Sequence, residues 1–80
     1  MRRLKITWRP EAIADLQYIH RTVFMFSQNE LTARRFVQRI VARAHRIGDA
    51  PHGGRPRDDL LPGLRTVPFE RSAVIAYRVL

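Results

Sequence analysis

Leu64-Arg65-Thr66-Val67-Pro68-Phe69 and Ala73-Val74-Ile75-Ala76-Tyr77-Arg78-Val79-Leu80 are two runs rich in Val, Ile, Tyr and Phe, parted by the polar Glu70-Arg71-Ser72. That composition and that break predict a β-hairpin. Pro68 has no N–H to give a ladder, so it is expected at an edge, at a bulge or on the outward side of its strand. The last strand is expected to reach Leu80 and to leave a hydrophobic edge of the kind that invites a partner strand.

Upstream the sequence changes character. Pro51, Gly53, Gly54, Pro56, Pro62 and Gly63 crowd the stretch 49–63, a loop by composition that also carries His52, Arg55, Arg57, Asp58 and Asp59. Before it, Ala33, Phe36, Val37, Ile40, Ala44 and Ile47 form the apolar face of a helix starting near Gln28. Ser27 and Glu30 fit a capping box at its start, Gly48 fits a left-handed C-cap, and Pro51 forbids continuation. At about 100° per residue, Arg35, Arg39, Arg43 and Arg46 fall within an arc of roughly 80° opposite that face. An earlier helix opens at Pro10, where a missing N–H costs nothing, and carries Glu11 and Asp15 near its positive end. Ala12, Leu16, Ile19 and Val23 give it one apolar face, with Ile13 beside them, as far as about Phe24. Ahead of it Leu4, Ile6 and Trp8 alternate with Arg3, Lys5 and Thr7, the period of a half-buried strand.

The predicted order is strand–helix–helix–strand–strand. This is an α+β domain over 1–80, with a helical hairpin packed on a small, mainly antiparallel sheet. Eighty residues suit one thin core, and 45% hydrophobic with 28% charged residues is an ordinary globular balance. The absence of cysteine excludes disulfides, thiol chemistry and Cys-type zinc sites. Apolar runs such as Val23-Phe24-Met25-Phe26 are too short to span a bilayer, and no signal-peptide stretch follows Arg2, Arg3 and Lys5, so the chain reads as cytoplasmic. Net charge is +8, and of the 15 basic residues all but Lys5 are Arg. Arginine's planar fork suits both phosphates and carboxylates, so charge alone does not choose between nucleic acid and an acidic protein segment.

The chain resembles the RelE/ParE superfamily of type II toxin–antitoxin toxins, the ParE branch more than the RelE branch. Three stretches carry the resemblance. They are Trp8-Arg9-Pro10-Glu11-Ala12 with Asp15-Leu16 and Ile19; Ala33-Arg34-Arg35-Phe36 with Ile40; and Pro51, Gly54-Arg55, Leu61-Pro62-Gly63-Leu64-Arg65 with Val74-Ile75-Ala76-Tyr77-Arg78-Val79. RelE-like members cut mRNA on the ribosome with basic residues on the sheet and an Arg and a Tyr near the C-terminus. Arg65 falls on one such basic position, but Val67 and Val74 fall on two others, and the C-terminal pair would lie beyond Leu80. Valine can neither activate a 2′-hydroxyl nor steady phosphate charge, so ribonuclease activity is not expected. ParE-like members instead poison DNA gyrase and are held by an antitoxin, ParD-like and often acidic in its C-terminal segment, which lies along the toxin's helices and sheet. The resemblance therefore implies a gyrase-inhibiting toxin without enzymatic activity. A RelE-like endoribonuclease and a shortened, inactive toxin that only binds antitoxin are the alternatives.

Partner contact is expected at Arg35, Arg39, Arg43, Arg57, Arg65 and Arg78. Trp8, Leu16, Ile40 and Tyr77 are expected in the core. His20, His45 and His52 share no metal-ligand spacing, and neither metal nor cofactor is expected. His52 with Asp58 and Asp59 lacks a nucleophile, and Gly53-Gly54 lacks the Gly-Lys-Ser/Thr of a phosphate loop. Direct nucleic-acid binding is a third reading, not favoured, because few aromatic residues remain for base stacking.

Overall fold

The computed structural model describes residues 4–80. Its elements are α1 (Pro10–Ser27), α2 (Glu30–Ile47), β1 (Arg55–Pro56), β2 (Leu64–Phe69) and β3 (Ala73–Arg78). The α+β class stands as predicted, while the order is helix–helix–strand–strand–strand. The described residues divide into two compact units, residues 6–42 and a second comprising residues 43–80 with Leu4 and Lys5, so α2 contributes to both.

In the helical unit Pro10 opens α1 after Arg9, whose side chain makes no cap hydrogen bond. The predicted capping box at Ser27 is not formed. Ser27 closes α1 instead, its hydroxyl donating to the Val23 carbonyl at 2.7 Å, and α1 runs three residues past Phe24. Gln28 then turns left-handed at φ 53° and donates its N–H to the Phe24 carbonyl at 2.7 Å. Asn29 is the true N-cap of α2, its Oδ1 accepting the Thr32 N–H at 3.0 Å. The Ser27 hydroxyl also accepts the Asn29 N–H at 3.2 Å, so it serves the corner between the helices rather than the Glu30 N–H that a capping box would need. Glu30 is thereby released to accept from His20 Nε2 at 3.0 Å, which ties the start of α2 back beside α1. Ala33 and Ile40 are buried as expected, and Leu16, Ile19, Val23 and Trp8 are half-buried. No residue of α1 is fully buried, and Phe26 stands 88% exposed.

In the second unit a three-stranded antiparallel sheet has the order β1-β2-β3. The N-terminal strand is a correction. Leu4 to Arg9 join no ladder, and Leu4 makes a single backbone bond, its N–H to the Gly48 carbonyl at 3.0 Å; Arg3 lies outside the described residues. Alternation supplies only a face, whereas a strand also needs repeated partner bonds. The third strand comes from within the predicted loop, as Arg55 and Pro56 pair with Thr66 and Arg65. Gly48 is not left-handed, because α2 ends in a run of tighter bonds: Gly48, Asp49 and Ala50 donate to the carbonyls three residues back.

The register Arg65↔Tyr77, Val67↔Ile75, Phe69↔Ala73 places odd-numbered residues on one face, where Val67 and Phe69 are buried. Ala44 and Ile47 complete the buried apolar residues of this unit. Even-numbered positions look outward. Leu64 gives its carbonyl to the Arg57 N–H on the β1 side, so Pro68, four residues on, aims its missing N–H the same way, past the end of β1. That is the outward side expected for it. Leu61-Pro62-Gly63-Leu64 is a type II turn closed by a 3.0 Å bond, with Gly63 at φ 79°. The hairpin turn Phe69–Ser72 has both central residues left-handed, Glu70 at φ 45° and Arg71 at φ 62°. β3 ends at Arg78 rather than at Leu80.

Candidate functional site

The residue pair Arg65 and Tyr77, directly opposed on β2 and β3, holds the loop 51–54 by its backbone. Tyr77 donates its hydroxyl to the Pro51 carbonyl at 2.7 Å and accepts the Gly54 N–H at 3.0 Å. Arg65 Nη1 donates to the His52 carbonyl at 3.0 Å and to the Gly54 carbonyl at 2.9 Å. Loop carbonyls and an N–H left without partners would cost about 1–3 kcal/mol each where buried, so two strand side chains replace the ladder that the loop lacks. Gly54 is buried because nothing larger fits: a Cβ there would lie 2.8 Å from Tyr77 Cε1 and 2.9 Å from Cζ.

Beside this clamp, Arg57 grips Asp59 in a two-point fork, Nε to Oδ1 at 3.0 Å and Nη2 to Oδ2 at 2.9 Å. The hydrogen bonds from Arg57 hold the Asp59 carboxyl below the usual carboxylate range, and the same bonds push the guanidinium up. Asp58 caps the neighbouring turn by accepting the Gly63 N–H at 2.9 Å. Arg55 and Arg78 are exposed, and among the described residues their side chains make no hydrogen bond or ion pair.

The six predicted contact residues do not form one set. Arg57, Arg65 and Arg78 belong to the sheet unit, where Arg65 is committed to the loop. Arg35 and Arg39 are exposed on α2 in the helical unit, with Arg39 over the Phe36 ring at 5.2 Å. Arg43, half-buried, belongs to the sheet unit. Sequence reasoning missed Asp59 as the partner of Arg57 and Gly54 as the partner of Tyr77. The first had a signal in the two-residue spacing. The second, 23 residues apart, had none. Among the described residues no three His, Asp or Glu side chains gather into a metal cluster, and no helix is long and apolar enough to cross a membrane.

Two helices followed by a three-stranded antiparallel sheet, on a basic chain with its Gly-Arg loop pinned by a strand Arg and Tyr, define a small basic α+β protein. The particular family follows from a family model described as the ParE toxin of the type II toxin–antitoxin system parDE, which matches residues 6–80. The chain belongs to the ParE toxin family of type II toxin–antitoxin systems. No curated protein matches it.

Proposed function

We propose that this ParE-family toxin inhibits DNA gyrase in the bacterial cytoplasm by protein–protein contact, with no catalytic step of its own. A cognate ParD-like antitoxin, carrying an acidic C-terminal segment, neutralises it. The observation that carries the non-enzymatic reading is the state of the sheet. In-line RNA cleavage needs free basic groups around the scissile phosphate, and the resemblance to RelE-like toxins puts them at the positions of Arg65, Val67 and Val74. Arg65 instead spends its Nη1 on two loop carbonyls, and Val67 is buried. The net charge of +8 favours capture of an acidic segment.

Inducible expression in a bacterial host tests this reading. Growth arrest with relaxed or broken reporter plasmid and intact mRNA is expected, relieved by co-expression of the antitoxin. Arrest with mRNA cut in a ribosome-dependent manner would replace it with the RelE-like alternative.

A further inference from the structure

The Arg57–Asp59 fork takes no part in the clamp on the loop 51–54. The Arg57 N–H bonds the Leu64 carbonyl, and Leu64 pairs with Arg78, so these three stand in one row across the sheet. Cross-strand partners share a face, which sets Arg57, Leu64 and Arg78 together on the outward side. Strand spacing puts the two arginine backbones about 10 Å apart, with Leu64 midway. Arg78 leans along the turn that leads into Leu64, its Nε 3.9 Å from where a Cβ on Gly63 would stand. Leu64 is half-buried and Arg78 is exposed. One apolar side chain thus lies between two arginines, one of which already holds a carboxylate at 3.0 and 2.9 Å.

We infer that this row is the seat of an acidic peptide segment, and that Asp59 masks it by filling the Arg57 fork until a carboxylate of the partner displaces it. The inference rests on the proposed capture of an acidic segment, and adds where its carboxylates bind and what they displace. The occupant follows from the row itself. The Arg57 fork has a carboxylate in it, the group whose two oxygens match a guanidinium edge. Leu64 lets an apolar side chain bury itself beside that carboxylate, which a peptide supplies and a sugar–phosphate backbone does not. The mask is built to leave. Asp59 sits two residues from Arg57, and its side chain is 62% exposed. An ion pair so exposed is weakly held, so exchanging one carboxylate for another costs little. Contacts with Leu64 and Arg78, which Asp59 does not supply, then favour the incoming segment.

The test is an NMR titration of the full chain with the end-blocked synthetic peptide Glu-Glu-Leu-Leu-Glu-Glu, following the Arg57 Nε–H and the Leu64 and Arg78 amides. Saturable shifts at all three are expected, weaker as salt rises. Asp59→Asn should tighten binding several-fold, a gain that misfolding cannot mimic. Arg78→Gln should weaken it several-fold, and more than Arg21→Gln, which removes the same charge from α1. On the unaltered chain, Glu-Glu-Ala-Ala-Glu-Glu carries equal charge without the apolar anchor and should bind several-fold more weakly. An Asp59→Asn chain that binds no tighter, or equal binding of the two peptides, overturns the seat and leaves the acidic-segment reading standing. So do shifts confined to α2. No saturable binding by either chain overturns both together. A short DNA duplex that shifts the same row at lower concentration than the peptide would overturn the seat in favour of nucleic acid. None of these readouts depends on gyrase or on toxicity.

Discussion

Gly54 and Tyr77 decide whether the loop 51–54 has a shape at all. The tyrosine hydroxyl donates to one backbone group and accepts from another, both part-buried, and the glycine leaves the room for it. Tyr77→Phe keeps the ring and deletes both bonds, so it is expected to cost about 1–3 kcal/mol in denaturant unfolding. Gly54→Ala should be at least as damaging, because a methyl cannot share space with the ring. The Arg57–Asp59 pair makes a different prediction. The hydrogen bonds from Arg57 hold the folded Asp59 carboxyl below the ordinary carboxylate range, so its contribution is complete above that range and is lost as pH falls through the depressed folded value. An NMR titration of the Asp59 side-chain carboxyl should show a midpoint below that of Asp59 in an Arg57→Gln chain. Both groups face solvent, so the effect on global stability is small.

At the scale of elements, the corner between the helices separates two capping schemes. Asn29→Ala should cost about 1 kcal/mol, because it deletes the cap on Thr32, whereas Ser27→Ala removes an exposed hydroxyl that bonds the Val23 carbonyl and the Asn29 N–H and should cost less. Thermal melts of the two variants rank them, and the reverse order would restore the capping box. The turn at Glu70-Arg71 places two L-residues in the left-handed region, each at a cost of about 1 kcal/mol. Replacing the pair by Asn-Gly should raise the melting temperature through about 1 kcal/mol or more of relieved strain. These elements also mark what a sequence discloses. The stripe from Ala33 to Ile47 and the Val-rich hairpin were legible because burial repeats at the helix and strand periods. The Leu4-Ile6-Trp8 alternation misled because a face without a ladder is not a strand. β1 was illegible because two residues carry no period, and its pairing is fixed by Thr66 and Arg65 far along the chain. The site was legible as arginines but not as partnerships, since Arg65 takes its acceptors from loop carbonyls that every residue type presents.

For the whole molecule, a charge of +8 on 80 residues resists self-association and draws in acidic or polyanionic partners. In the helical unit α1 buries no residue and leaves Tyr18, Met25 and Phe26 largely exposed, apolar surface of the kind that marks interaction sites. Charge and apolar surface are the two features of the whole chain on which the proposed binding role rests. The most direct measurement of that account is a plasmid supercoiling assay with purified gyrase and the full chain, run beside ribosomes programmed with mRNA. The account predicts dose-dependent loss of supercoiling or gyrase-dependent DNA breakage, reversed by antitoxin, with the mRNA left whole. Undisturbed supercoiling at saturating protein, or cleaved mRNA, would contradict it.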